Sequence, residues 1–290
     1  MRAAVIGDML LDVEIASAAI GPVSSENTKI PVFKGNRVNV MAGGAGNVAN
    51  ILRDMKCTVD LYTDGPGQAD RAWIGDLAKR TCKANRIVWS GRGSVSLKMR
   101  SVGPDNQVLA RMDSDAEPHS TGTFQGLYGL LDDIDRYDCV VISDYAKTVV
   151  NPDTEQVIVD ILKAAKHSVV DSKRKDYALW KNAEAITPNH LEAMTIYGSG
   201  CPVEIMEMVG CKSVFITSSA KPVLLACGDG MEEIPVTGDV SNVYCVGAGD
   251  SFVAGLAVAL AQGKSYLEAG QAGVELAQKY VARPRKSNLR

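Results

Sequence analysis

The chain is short of the residues that announce metal, disulfide, membrane or nucleic-acid chemistry. Of its 290 residues only 3 are histidine. His119, His167 and His190 have neither metal-ligand spacing nor cysteine partners, which argues against a structural zinc site. The 7 cysteines (Cys57, Cys82, Cys139, Cys201, Cys211, Cys227 and Cys245) are odd in number, scattered, and form no CxxC pair. They read as reduced thiols and place the chain in the cytoplasm. A formal net charge of −3 gives no electrostatic footprint for nucleic acid, and the basic run Arg283 to Arg290 reads as a solvated tail. No apolar run approaches the length of a membrane span, and Met1 to Gly7 reads as a strand rather than a signal peptide. No GxxxxGK[ST] loop exists, so a P-loop enzyme is disfavoured. No internal repeat or low-complexity linker divides residues 1–290, which are expected to form a single domain.

What is present fits an α/β enzyme. Hydrophobic residues make up 46% of the chain, enough for a sizeable core. Ala3–Ile6, Val59–Tyr62, Cys139–Ser143, Ser168–Val170, Ala185–Thr187 and Ser213–Thr217 read as buried strands. Gly46–Met55, Ala69–Lys83, Asn151–Lys166 and Asn189–Tyr197 read as helices between them. That alternation predicts a mainly parallel sheet covered by helices. Two stretches break the rhythm. Asn27–Val40 and Val95–Arg111 are strand-like without a helix, and the second holds the turn Gly103-Pro104-Asp105-Asn106. They predict either two decorative hairpins or a small β lid, at about residues 12–40 and 94–113, over the sheet edge where open α/β folds bind ligands.

The run NVYCVGAGDSFVAGLAVALAQG, from Asn242, passes from β-prone residues through Gly247-Ala248-Gly249-Asp250 into a long apolar helix. Glycines let the backbone approach a ligand closely, and the first N–H groups of a helix lack internal partners. With the macrodipole they suit charge developing on a transferring phosphoryl group, and Asp250 could serve as base toward a hydroxyl nucleophile. The plainer reading is an N-cap in a glycine-rich turn.

A second cluster, MAGGAGNVANIL from Met41, admits three readings. Gly44-x-Gly46-x-x-Ala49, with Asp64 about 20 residues on, imitates a dinucleotide fingerprint. Gly43 and Gly44 could instead let a sugar lie against the backbone while Asn47 supplies amide hydrogen bonds. The third is a tight strand-to-helix turn. In VIGDMLLD, Asp12 could accept hydrogen bonds from two neighbouring hydroxyls, and one of Asp8 and Asp12 could simply cap a turn.

Further along, ISDYAKTVVNPD places Asp144 and Lys147 beyond a buried strand, and VVDSKRKDY places Asp171 and Lys173 beyond the next. TPNHLEA puts Asn189 and Glu192 on one face at a helix start. Capping or surface ion pairing would account for each alone. Polar residues at the C-terminal ends of successive parallel strands, however, converge on one crevice.

In VIGDMLLD, AGGAGNVAN, ISDYAK, VVDSKRKDY, TPNHLEA and GAGDSFVAG, taken in this order and spacing, the chain resembles the PfkB, or ribokinase-like, sugar kinases over nearly its whole length. Within them it is most similar to the kinase half of the bifunctional heptose enzymes that make ADP-heptose precursors. The resemblance implies a three-layer α/β/α fold with a small β lid. It implies that Asp250 takes a proton from a sugar hydroxyl attacking the γ-phosphate of ATP, with N–H groups of Gly247, Ala248 and Gly249 stabilising the phosphoryl charge. Asn189 and Glu192 match an NxxE motif that influences Mg²⁺ and phosphate binding. Asp171, Lys173 and Thr217 belong to the same ATP and Mg²⁺ side, with the metal carried by the phosphates. Asp12, Gly43, Gly44 and Asn47 would hold the sugar, with Asp144 and Lys147 beside them. Lys98, Arg100 and Arg111 would receive a substrate phosphate such as the 7-phosphate of a heptose, a task suited to the planar guanidinium fork. A homodimer through exposed lid strands is also implied.

Three departures lie on the ATP side. Where the family has an acid-containing run before GAGD, this chain reads Tyr244-Cys245-Val246, which removes the ground for expecting K⁺ activation. The nucleotide loop, a TxGxxG-like turn in the family, reads TSSAKPV from Thr217, without either glycine. The last helix lacks an Asn that helps frame the base. The adenylyltransferase domain of the bifunctional relatives is not expected. Besides an ATP-dependent heptose 7-phosphate kinase, the alternatives are another PfkB-type sugar kinase, a sugar- or nucleotide-binding relative with a decayed ATP pocket, and a nicotinamide-dependent oxidoreductase.

Overall fold

The computed structural model describes residues 1–25, 28–65, 72–91, 95–104, 107–115, 123–237 and 246–282. In chain order the elements are β1 (Arg2–Gly7), β2 (Met9–Ser25), β3 (Thr28–Gly44), α1 (Ala45–Asp54), β4 (Thr58–Thr63), α2 (Ala72–Thr81), β5 (Arg86–Trp89), β6 (Ser96–Val102) and β7 (Val108–Ser114). Then follow α3 (Gln125–Asp132), β8 (Cys139–Asp144), α4 (Glu155–Ala164), β9 (Ser168–Ser172), β10 (Ala185–Ile186), α5 (His190–Glu192) and α6 (Pro202–Val209). The chain closes with β11 (Val214–Ile216), β12 (Val223–Cys227), β13 (Gly230–Ile234), α7 (Ala248–Ala261) and α8 (Tyr266–Val281).

Among the described residues, the main sheet has 9 strands in the order β13-β12-β11-β10-β9-β8-β1-β4-β5. Pairings from β5 to β11 are parallel, whereas β11–β12 and β12–β13 pair antiparallel, so that β12 alone runs against the other strands. The parallel strands are buried on both sides, so alternate residues feed two apolar cores. Ala3, Val5, Val59, Leu61, Val141 and Val169 face one core with α1, α7 and α8. Ala4, Ile6, Tyr62, Val140, Ile142 and Val170 face the other with α3, α4 and α6. This is the expected helix–sheet–helix sandwich.

The second sheet, ordered β3-β2-β6-β7, is an excursion from the first. β2 starts two residues after β1 ends, and β3 runs directly into α1, so the whole hairpin leaves and rejoins at the C-terminal edge of β1. Ala45 N donates to Asp8 O at 3.1 Å to close its base. The excursion is longer than the expected segments: β2 and β3 have 17 residues each. Bulges between Ala16 and Ser17 and between Ala19 and Gly21 interrupt their register, which is why no clean alternation marks β2 in the sequence. β6 adds parallel to β2 and β7 antiparallel to β6. Their turn is closed by Gly103 N donating to Gln107 O at 2.9 Å, while Asp105 and Asn106 lie outside the described residues.

Three helix boundaries differ from expectation. α2 starts at Ala72, beyond positions 69–71, which lie outside the described residues. α4 starts at Glu155 because Asn151 to Thr154 form a side-chain-closed turn instead, with Thr154 Oγ1 donating to Val149 O at 2.7 Å. The expected Asn189–Tyr197 helix has one α turn and continues as a π turn, Ala193–Tyr197.

α7 positions the site. Eleven consecutive residues, Asp250 to Leu260, are buried, so the helix is a central strut rather than an amphipathic cover. α8 packs closely on it: a Cβ at Gly255 would lie 2.9 Å from Ala272 O, and one at Gly273 would lie 2.8 Å from the Phe252 ring. Among the described residues, no helix is long and apolar enough to cross a membrane.

Candidate functional site

β1 has β4 on one side and β8 on the other. Chains leaving neighbouring strands in opposite directions open a crevice at such a point. Asp8 spans it. Its carboxylate accepts from the backbone N–H groups of Tyr145 (2.9 Å), Lys147 (3.1 Å), Thr148 (3.0 Å) and Val149 (3.0 Å). Of the two N-terminal acids, Asp8 is the one that organises a turn, and it fixes the loop after β8.

Gly247 precedes α7 with φ 86°, a left-handed conformation that glycine adopts without strain. A Cβ there would meet the Tyr280 ring at 2.8 Å and Asn47 Nδ2 at 3.0 Å. The first N–H groups of α7 therefore open onto a space whose walls come from both ends of the chain. Asp250, only 8% exposed, accepts a hydrogen bond from Asn47 Nδ2 at 2.6 Å. Burial drives its carboxyl pKa up, against the opposing effects of the Asn47 hydrogen bond and the Lys173 ammonium; Asp12 pushes the same way as burial. An acid so placed is a weak base at rest but a stronger one than a solvated carboxylate.

Asp250 lines a cavity of about 120 Å³ with Tyr145, Asp171, Lys173, Asn189, Glu192 and Thr217, and with Gly247 and Gly249 at its rim. Whole small-molecule sites run to roughly 300–1,000 Å³, so this space is large enough for only part of such a ligand. Lys173 Nζ lies 2.8 Å from Glu192 Oε1. Burial works against its charge, but Asp171 and Glu192 outweigh burial and keep the ammonium firmly protonated. Burial pushes the Asp171 carboxyl up to about 7, with Lys173 opposing and Glu192 and Asp250 adding to the rise. Asn189 and Glu192 form a capping box on α5, with Asn189 Oδ1 accepting from Glu192 N and Glu192 Oε2 accepting from Asn189 N, both at 2.9 Å. Capping and the approach to Lys173 thus use different oxygens of one glutamate. His190 N donates to Thr217 O at 2.8 Å, which ties the start of α5 to the end of β11.

No three His, Cys, Asp or Glu side chains among the described residues form a metal cage. A divalent cation nevertheless suits this cavity. Asp171, Glu192 and Asp250 face one lysine, and Mg²⁺ typically uses one or two carboxylates while phosphates and water complete its shell.

On the lid, Asp12 lies within β2. In register its neighbours are Met41 on β3 and Lys98 on β6. A Cβ at Gly43 would stand 2.2 Å from Asp12 Oδ2, so the glycine is required for that carboxylate to reach the crevice. Gly44, at φ 55°, turns the chain from the lid into α1. Arg100 Nη1 binds Asp12 Oδ1 at 2.5 Å, with both side chains largely buried. Arg111 is held in two-point fashion by Asp113, at 2.8 and 2.5 Å. Both guanidiniums are thus ion-paired, Arg100 in a largely buried position and Arg111 in a half-exposed one. Lys98 is placed differently, with its Nζ 4.9 Å from the centre of the Tyr145 ring.

Asp144 and Lys147, expected beside the sugar, do not line this cavity. The fully buried Asp144 carboxylate is taken up by Ser172 Oγ (2.7 Å), Arg174 Nε (3.2 Å) and Ala146 N (2.9 Å). Lys147 also lies away from the cavity lining, reaching Asp115 at 2.5 Å beyond the end of β7. Both residues brace the loop after β8; the sequence order ISDYAK does not show which of its polar side chains turns inward.

The residue that does turn inward is Tyr145, which sequence reasoning passed over. The Asp250 carboxylate, and then burial, hold its phenol well above the usual tyrosine range, so it remains a protonated donor. Tyr280 of α8 was also missed; its hydroxyl lies 3.5 Å from Asn47 Oδ1. Position within ISDYAK could have suggested Tyr145, but nothing in the sequence points to Tyr280.

In the loop after β11, Ser219 occupies the place of the first absent glycine of the TxGxxG-like turn and has φ 37°. A non-glycine residue therefore stands at positive φ in this loop. Tyr244 and Cys245 lie outside the described residues.

A family model described as "pfkB family carbohydrate kinase" matches residues 2–288. The chain is 30% identical over 290 residues to "Bifunctional protein HldE" of Trichlorobacter lovleyi, covering 93% of this chain and 57% of that protein. It is 31% identical over 284 residues to the protein of the same name from Caulobacter vibrioides, covering 92% and 57%. The chain therefore spans little more than half the length of these curated relatives. Among solved structures it is similar to Arabidopsis thaliana ribokinase complexed with ribose and ATP, with a TM-score of 0.70 at 17% identity, covering 97% of this chain and 92% of that one. It is also similar to the tetrameric inhibited form of Escherichia coli phosphofructokinase-2, with a TM-score of 0.69 at 16% identity, covering 97% and 94%. At such identities these likenesses speak for the fold.

Proposed function

The chain belongs to the pfkB family of carbohydrate kinases, and on that premise we propose that it transfers the γ-phosphate of ATP to a hydroxyl of a sugar acceptor. The acceptor implied by the ISDYAK and DxK…TPNxxE resemblance is a heptose 7-phosphate, phosphorylated at its anomeric hydroxyl. One observation carries the reading: Asn47 donates to Asp250 at 2.6 Å, so the sugar-side amide and the acid at the start of α7 share one cleft.

The steps follow from this placement. Asp12 and Asn47 orient the acceptor, and Asp250 takes the proton of the attacking hydroxyl. The oxygen forms a bond to the γ-phosphorus as the bond to ADP oxygen breaks, giving a sugar phosphate, ADP and a proton. N–H groups at the start of α7 and the Lys173 ammonium face the charge on the migrating phosphoryl group. Asp171 and Glu192 would hold Mg²⁺ brought by the nucleotide, and that cation supplies neutralisation of phosphate charge. The lid sheet excludes water that would otherwise hydrolyse ATP.

The test is an ADP-release screen with Mg²⁺–ATP over heptose phosphates and common free sugars. Acceptor-dependent ADP release is expected, strongest with a heptose 7-phosphate. Turnover confined to another sugar would keep the kinase and replace its substrate. No release with any acceptor, together with no heat on titrating Mg²⁺–ATP at millimolar concentration, would overturn the kinase reading.

A further inference from the structure

A second cavity, of about 270 Å³, lies at the far end of the strands that lead to Asp250. Its wall includes Ser168, the first residue of β9, Glu184, just before β10, and Lys212, just before β11. Asp171, Asn189 and Thr217, toward or beyond the other ends of the same three strands, line the cavity beside Asp250. The two spaces are thus one strand length apart, roughly 15 Å.

Four lysines reach this second cavity from three separate segments. Lys163 and Lys166 come from the exit of α4, Lys181 from the turn after Trp180, and Lys212 from the approach to β11. The helix dipole accounts for Lys163, in the last turn of α4, and Asp160 pairs with it at 3.1 Å. Lys166 Nζ donates to a backbone oxygen, that of Asp135, at 2.6 Å. Lys181 and Lys212 have no carboxylate within ion-pair distance among the described residues. Gly210, at φ 73°, leaves room for the Lys181 stem, since a Cβ there would lie 3.3 Å from Lys181 Cγ. One carboxylate of the wall, Glu184, opposes the lysines, and its Oε2 is already engaged by Ser168 N at 3.2 Å and His167 Nδ1 at 2.9 Å. Like charges gathered on a concave wall repel one another and concentrate counter-ions. Each ammonium also offers three donors to phosphate or carboxylate oxygens.

We propose that this cavity, remote from Asp250, binds a compact polyanion with at least two negative charges, held chiefly by Lys181 and Lys212. Charge sets the valence: of four positive charges, one is met by Asp160 and one by Glu184, which leaves two for a ligand. Volume sets the size, near the lower end of the roughly 300–1,000 Å³ of small-molecule sites. No residue of this cavity takes part in the reaction proposed above, so the site stands whether or not the chain is a sugar kinase. Phosphorylated and polycarboxylate ligands share the required chemistry, and the experiment separates them.

The measurement is calorimetry at low salt, without Mg²⁺, using inorganic pyrophosphate and citrate as probes. The proteins are wild type, the pair Lys181→Gln with Lys212→Gln, the pair Lys181→Arg with Lys212→Arg, and Lys173→Gln. Both cavity lysines are exposed, so these pairs change charge without opening the core. At least one probe is expected to bind wild type at millimolar concentration or below. The Gln pair is expected to bind it about 5- to 30-fold more weakly, since an exposed charge pair is worth up to about fivefold. The Arg pair and Lys173→Gln, which removes the cation beside Asp250, are expected to stay within a few-fold of wild type. Tighter pyrophosphate binding assigns a phosphorylated ligand, and tighter citrate binding assigns a polycarboxylate. No heat from either probe at millimolar concentration overturns the site. So does a loss in the Gln pair no larger than in Lys173→Gln, which would put the anion beside Asp250. An equal loss in the Gln and Arg pairs overturns it as well, because charge would then not be what binds.

Discussion

Asn47 and Asp250 lie 203 residues apart in the chain and share a 2.6 Å hydrogen bond. One belongs to the helix that follows the lid and the other to the central strut, so the bond fixes the acceptor side of the crevice against the start of α7. Replacing Asp250 by Asn preserves shape and removes the base. Turnover is expected to fall by at least roughly 10²–10⁴-fold, the usual worth of a positioned general base, while sugar binding by calorimetry stays within a few-fold. Wild-type turnover by Asp250→Asn would remove Asp250 from the chemistry.

The same bond makes a prediction about pH. Burial raises the Asp250 pKa, while Asn47 and Lys173 lower it. The base works ionised, so activity should decline as pH falls through a value above the ordinary carboxylate range. Asn47→Ala removes a hydrogen bond that favours the ionised form, and the acid limb of the kcat/KM profile should move to higher pH. A limb that stays in place or moves down would show that another group controls it.

Asp171 carries a stability signature of opposite sense to a salt-bridged carboxylate. Its folded pKa, about 7, lies above the value of about 3.9 for an unperturbed Asp. The folded state therefore binds the proton more tightly, and stability is lost as pH rises from about 4 to 7. Asp171→Asn should be more stable than wild type at pH 8, by on the order of 1 kcal/mol or more, since each tenfold in proton affinity is worth about 1.4 kcal/mol. The gain should shrink toward pH 4. Urea midpoints at several pH values measure this, and a gain that grows on acidification would reverse the assignment.

The sequence disclosed the sheet because its parallel strands are short runs of Ala, Val and Ile buried on both faces, as in Ala3 to Ile6 and Cys139 to Ser143. It disclosed where α7 starts because Gly247 and Gly249 flank the start of an apolar helix. It hid the length of β2, where bulges at Ala16/Ser17 and Ala19/Gly21 break the alternation. It also hid which side chains after β8 turn inward. Asp144 and Lys147 are the more polar, yet Asp144 is taken up by Arg174 and Ser172, and Tyr145 lines the cavity. Such choices depend on partners 28 to 30 residues away, which local pattern does not encode.

The loop after Thr217 holds a non-glycine residue at positive φ. Ser219 stands where a TxGxxG-like turn has its first glycine, and its φ is 37°. A side chain at positive φ costs roughly 1–2 kcal/mol, whereas glycine adopts it freely but loses more entropy on folding, roughly 0.5–1 kcal/mol relative to Ala. The balance favours Ser219→Gly by up to about 1.5 kcal/mol of stability. The loop shape already exists in wild type, so the affinity for Mg²⁺–ATP should change by no more than a few-fold. Thermal unfolding measures the first quantity and nucleotide calorimetry the second. A tenfold gain in nucleotide affinity would mean that serine distorts the loop rather than holding its shape, and a loss of stability would mean that the Ser219 side chain contributes more than its backbone strain removes.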